Sequence, residues 1–347
     1  MARSLMGLVL KALVLVTMAG ALAIPAAGQA SAQTLKSIRD RGSLLCGVSQ
    51  GLPGFSAPDD RGQWTGFDVD FCRALAAAIL NDPRKVKYSP LSAKDRFTAL
   101  QSGTIDILSR NTTWTLARDV SLGFTFSVIS YYDGQGFLVR KALNVNSALE
   151  LGGATICTQT GTTTELNVAD YFRSNKMKYE ILSFQSADET IKAYENERCN
   201  VFTTDVSQIY AERLKLNNPG DHAILPEIIS KEPLGPVVRQ GDDQWADIVK
   251  WVYFAMVNAE ELGVTSKNID EMMKSTKPDV RRLLGLEGNY GEALGLTKDW
   301  VVRIVRAVGN YGEVFDRNVG KDSKLNIPRG MNNLYTKGGL QYAPPIR

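Results

Sequence analysis

Three side chains of this sequence have the types and settings needed to hold a small dipolar molecule. Arg118, in the string TWTLARD, carries a planar guanidinium that meets a carboxylate through two parallel hydrogen bonds. Thr163 follows QTGT and opens a predicted helix, so its amide belongs to the unpaired set at a helix start, where anions bind. Asp205 ends the run VFTT at the carboxyl end of a predicted strand, where open parallel sheets place their ligands. A carboxylate there is an acceptor for an ammonium group. Each residue also has a plainer reading: Arg118 with Asp119 as a solvated pair at a helix start, Thr162 and Thr163 as caps, Asp205 as an N-cap. Gly161 is first a turn residue that permits close approach.

Groups suited to catalysis are scarce. The sole histidine, His222, lies in the turn-like string NNPGDHA and is expected in a solvated loop, outside every motif. No GxGxxG follows either first strand described below, so a dinucleotide cofactor is not expected. Cys46, Cys72, Cys157 and Cys199 lack the close CxxC spacing of zinc sites; their even number suits two disulfides in an oxidising compartment. The formal charge of +3 includes Arg3 and Lys11, and without them it is +1, which offers no basic surplus for nucleic acid.

The elements that must position these residues alternate strand with helix. Residues 1–32 read as a secretory signal peptide: Arg3 and Lys11 supply charge, 8–24 is apolar, and Ala30-Ser31-Ala32 is a cleavage site. As a membrane span this apolar run is short against the required ~20 residues. The remaining chain exceeds what one core usually organises, so two units are expected. In the first, strands at 44–49, 86–88 and 105–109 alternate with helices at 67–80 and 94–102. In the second, strands at 154–158, 179–183 and 200–204 alternate with helices at 163–175 and 187–196. Apolar strands at 136–140 and 236–239 suggest that the chain crosses between the units twice, near 134–141 and 233–240, which makes a hinge. The expected division is 33–140 for lobe one, 141–234 for lobe two, and 235–347 for the return to lobe one with a C-terminal extension. Helices are expected at 245–262, around 268–274 and as one piece at 300–315; the Gly-, Pro- and Asn-rich tail from 318 gives no clear pattern.

Four strings together resemble a known family: GVSQGLPGFSAPDDRGQWTGFDVDFCRAL at 47–75, DRFTALQSGTIDILSRNTTWTLARD at 95–119, QTGTTTE at 159–165 and VFTTD at 201–205. They are similar to the polar amino-acid class of extracellular solute-binding proteins, family 3, especially its general L-amino-acid-binding subgroup. The resemblance spans roughly 35–273. It implies an α/β, two-lobed periplasmic-binding-protein (Venus flytrap) fold and a periplasmic monomer that binds an L-amino acid. That ligand passes to an inner-membrane ABC permease with its ATPase, without catalysis, cofactor, metal or nucleic acid. An enzyme of the same fold, dehydratase-like, and a ligand-sensing module are the alternatives. Position by position, the family implies Arg118 under the α-carboxylate with Thr113 beside it and the Thr163 amide opposite. Asp205 and the backbone carbonyl of Asn111 would hold the α-ammonium.

Relatives selective for acidic amino acids carry Arg where this chain has Ser49, and those for basic ones often carry an aromatic where it has Leu52. Arg96 matches a position that can meet the distal side-chain group, or else pairs with Asp95 or the surface. A pocket of Ser49, Gln50 and Arg96 without a fixed counter-charge is expected to accept several polar side chains. If the second lobe has strand order 2-1-3, Cys157 and Cys199 lie on neighbouring strands and can pair, with Cys46 and Cys72 as the other pair.

Overall fold

The computed structural model describes residues 33–347, and the expected signal peptide lies outside them. In chain order the first strands are β1 (Leu44–Val48), β2 (Val86–Pro90), β3 (Ile107–Leu108), β4 (Phe124–Phe126), β5 (Tyr131–Asp133) and β6 (Gln135–Arg140). They are followed by β7 (Ala154–Gln159), β8 (Tyr179–Phe184), β9 (Val201–Asp205), β10 (His222–Ile224), β11 (Glu232–Leu234) and β12 (Val237–Arg239). The helices used below are α1 (Gln33–Arg41), α2 (Phe67–Leu80), α3 (Arg96–Gln101), α4 (Thr163–Ser174), α5 (Ala187–Glu195), α6 (Val206–Arg213) and α7 (Asp243–Glu261), then α8 (Trp300–Val308) and α9 (Tyr311–Asn318).

The strands form two main sheets, ordered β2-β1-β3-β12-β4 and β8-β7-β9-β6-β10. In each, three parallel strands in the order 2-1-3 come first, and antiparallel strands complete the sheet. This is the two-lobed α/β architecture. Strands covered on both faces must be apolar on both, as in β6, where Phe137 and Val139 are buried in one cluster and Leu138 in another. The order 2-1-3 places Cys157 of β7 beside Cys199 at the entry to β9. Their Cα atoms are 5.8 Å apart and disulfide-bonded, and Cys46–Cys72 ties β1 to α2 at 6.4 Å.

The chain crosses between lobes at β5 and β11, which pair antiparallel with Tyr132 opposite Pro233. The expected boundary at Arg140 therefore needs correction. Strand β6 belongs to the second sheet, pairing with β9 from Gly136 opposite Thr204 to Val139 opposite Val201. An apolar six-residue run fits either sheet equally well, so its pattern alone cannot assign it. His222 is also corrected: it pairs on edge strand β10 opposite Arg140, half-buried, with Nδ1 2.8 Å from the Tyr194 hydroxyl.

Residues from α7 onward cover the first lobe. Trp245 is buried and donates from Nε1 to the Asp106 carbonyl, and α8 lays Val301, Ile304 and Val305 against α2. The single helix expected at 300–315 is two, because Gly309 adopts φ 85° and Asn310 starts α9 with a reciprocal cap to Glu313. The tail then straps the hinge: Asn332 accepts from the Tyr132 amide at 2.7 Å and donates to the Tyr132 carbonyl at 3.0 Å.

Candidate functional site

The loop after β3 carries Arg110, Asn111, Thr112 and Thr113, and the helical turn Ala117–Ser121 carries Arg118. Second-crossing backbone fixes this loop, since the Trp114 amide donates to the Pro233 carbonyl and the Gly235 amide to the Thr112 carbonyl. Arg118 is buried, donates from Nη1 to the Thr113 carbonyl at 2.8 Å, and packs over the Phe97 ring. Burial pulls its pKa down while Glu232 and Asp205 support the charge, so it remains a cation with a preset orientation. Arg96, at the start of α3, is buried and donates to the Asn111 carbonyl at 3.2 Å and the Thr112 hydroxyl at 3.3 Å. It braces the loop.

From the second lobe, Thr163 is the first residue of α4. Thr162 caps this helix through the Glu165 amide, which leaves the earlier amides outside the intrahelical bonds. Gly161 has φ +76°, a left-handed backbone conformation that favours glycine, and it faces Lys94 of the other lobe. Asp205 ends β9 and is buried. Burial first, then Asp133 and Glu232, push its carboxyl well above the ordinary range.

The lobes meet here. Thr113 and Thr163 hydroxyl oxygens are 3.3 Å apart, and Asn111 donates to Gln208 at 2.9 Å and approaches Asp205 at 3.5 Å. Thus Arg118, Thr113, Asn111, Thr163 and Asp205, distant in sequence, share one cleft, and buried Ser49 lines its far end, where its amide donates to Ser56.

Sequence reasoning missed three charged residues of this cleft, Glu232, Arg110 and Glu212. Glu232, on crossing strand β11, accepts from Thr113 at 2.6 Å, Thr163 at 2.9 Å, Asn167 at 2.7 Å and Ser230 at 2.7 Å. One carboxylate therefore bonds both lobes. Its only signal was a charge in KEPLG beside the hinge proline. Arg110 is pulled down to about 10 by burial, against the pull of Asp68, whose own carboxyl burial pushes up to about 7. Arg110 lines an interlobe cavity of about 230 Å³ together with Ser49, Gln50, Gln159, Gln208 and Glu212. Arg96 stands beside Arg110, and the Nε of each is without a partner.

A guanidinium and helix-start amides on one side of a cleft, with a buried carboxylate on the other, can hold a zwitterion by its two charged ends. The family profile of bacterial extracellular solute-binding proteins, family 3, matches residues 44–268. The chain is 58% identical over 323 residues to the general L-amino acid-binding periplasmic protein AapJ of Rhizobium johnstonii, covering 92% of this chain and 95% of the relative. It is 53% identical to the glutamate/glutamine/aspartate/asparagine-binding protein BztA of Rhodobacter capsulatus, covering 94% and 97%. A solved structure of an ABC transporter periplasmic binding protein from Brucella ovis with glutathione bound superposes with a TM-score of 0.89 at 57% identity, covering 90% of this chain and 99% of that one.

Proposed function

Because the chain belongs to the bacterial extracellular solute-binding proteins, family 3, we propose that it captures a free L-amino acid between its lobes and delivers it to an ABC permease. The meeting of Arg118 and Thr113 from one lobe with Thr163 and Asp205 from the other, at the 3.3 Å approach of the two threonines, supports this most directly. Arg118 and the Thr163 amide take the α-carboxylate; Asp205 and the Asn111 carbonyl take the α-ammonium. A carbonyl has two lone pairs, so the bond from Arg96 to Asn111 leaves one for the ligand. Thr113 gives its hydroxyl proton to Glu232 in this closed arrangement, and takes up its place beside the ligand's carboxylate by turning that O–H toward it.

The names of its relatives support broad polar specificity and a periplasmic site of action for the chain, entered through the signal peptide at 1–32. The protein acts as a monomer and releases its ligand unchanged; the permease and its ATPase supply direction and energy. Native mass spectrometry of freshly purified protein is expected to find a bound amino acid. In calorimetry, Arg118→Ala is expected to weaken every amino-acid ligand by about 2–5 kcal/mol, since all carry the α-carboxylate and one partner of a desolvated pair is lost. Near-normal affinity for any good ligand would remove Arg118 from this role, and turnover of the ligand to a new product would favour an enzyme.

A further inference from the structure

Beyond the groups assigned to the zwitterion, the interlobe cavity of about 230 Å³ is lined by three charged residues, Arg110, Asp188 and Glu212. Arg110 comes from the first lobe and Glu212 from the second, both buried, and no ion pair joins them among the described residues. Their bonding is incomplete. The Arg110 Nε has no partner, and its two terminal nitrogens make only 3.3 Å bonds, to the Leu91 carbonyl and the Asn111 side chain. Glu212 is salt-bridged through Oε2 to Lys215 Nζ at 3.1 Å, and beyond that ion pair its carboxylate oxygens accept no well-formed hydrogen bond. That ammonium donates to Asp188 at 2.9 Å and across the cleft to the Gly51 carbonyl at 3.0 Å. Buried polar atoms left unpaired in this way are rare in folded proteins and point to a partner that enters the cavity.

Resting on the reading of the cleft as an amino-acid site, we propose that Arg110 and Glu212 select ligands whose side chain ends in a carboxamide, with its oxygen on Arg110 and its NH₂ on Glu212. A carboxamide is the neutral group that presents an acceptor and a donor on one carbon, matching one wall of each kind. A side-chain carboxylate suits Arg110 but sets a like charge against Glu212. An ammonium or guanidinium reverses the conflict, and an aliphatic chain leaves both walls unpaired. The preferred ligands are therefore L-glutamine and L-asparagine; acids are accepted more weakly, and small side chains bind through the zwitterion alone.

Calorimetry with L-glutamine, L-glutamate and L-alanine on the wild type, Glu212→Gln and Arg110→Gln proteins tests the assignment. The wild type is expected to bind glutamine about tenfold more tightly than glutamate. Glu212→Gln, nearly isosteric, removes the like charge and supplies its own NH₂. It is expected to shift the glutamine-to-glutamate affinity ratio about tenfold toward glutamate, while alanine stays within about twofold. Arg110→Gln is expected to weaken glutamine and glutamate together and spare alanine, which keeps the test open if one variant fails to fold. An unmoved ratio, or an equal loss for alanine, overturns the carboxamide assignment and leaves the amino-acid site standing. A wild type that binds none of the three overturns both.

Discussion

Asp205 sits in the cleft with its carboxyl held toward the neutral form by burial, with Asp133 and Glu232 adding to the shift against the Asn111 hydrogen bond and Arg96. An arriving ammonium reverses this balance because it favours the ionised form. The complex then binds fewer protons than the free protein at any pH between the two values of the group. Binding is expected to release up to about one proton, and affinity to rise with pH through that window, from above the ordinary carboxylate value toward the raised one. Calorimetry in buffers of different ionisation enthalpy reads the proton directly. Asp205→Asn is expected to abolish both the release and the pH dependence and to weaken binding; equal heats in every buffer would count against Asp205 as the ammonium partner. Arg118 differs, since its guanidinium stays charged and its burial fixes orientation through the Thr113 carbonyl.

Crossing strand β11 is an element with two functions. Its backbone joins β5 to form the hinge, and its first side chain, Glu232, accepts bonds from Thr113 on one lobe and from Thr163 and Asn167 on the other. These bonds from opposite lobes can coexist only while the cleft is closed, so Glu232 acts as a latch. Glu232→Ala leaves several buried donors without their acceptor, at about 1–3 kcal/mol for each group left unmet. Stopped-flow fluorescence is expected to show dissociation rates at least about tenfold faster for every ligand, with association little changed. An unaltered dissociation rate in a folded variant would show that closure does not depend on this carboxylate. The C-terminal strap reinforces the same hinge, because Asn332 bonds both backbone groups of Tyr132.

Across the whole molecule the hydrophobic clusters divide by lobe, except for Ala211 and Tyr210 of α6, which pack with the first-lobe cluster. The lobes meet largely through polar bonds: Thr113 with Thr163, Asn111 with Gln208, Lys215 with Gly51. Opening exchanges such bonds for water and leaves each core intact, so a ligand that bonds both lobes shifts the population toward closure. Small-angle scattering is expected to show a smaller radius of gyration with saturating L-glutamine than in verified ligand-free protein; an unchanged radius would favour a rigid preformed pocket. The paired α/β units, the second crossing near Pro233, and the placing of Thr163 at a helix start and Asp205 at a strand end were legible in the sequence, because apolar periodicity and helix-start chemistry are local properties. So was the disulfide between Cys157 and Cys199, once the strand order was supposed. The side of the hinge on which β6 pairs, the break at Gly309 and the strap at Asn332 were decided by tertiary structure. So were the contacts of Glu232 and the incompletely hydrogen-bonded side chains of Arg110 and Glu212: each depends on which distant group faces a side chain across the cleft, and no spacing along one strand or helix carries that information.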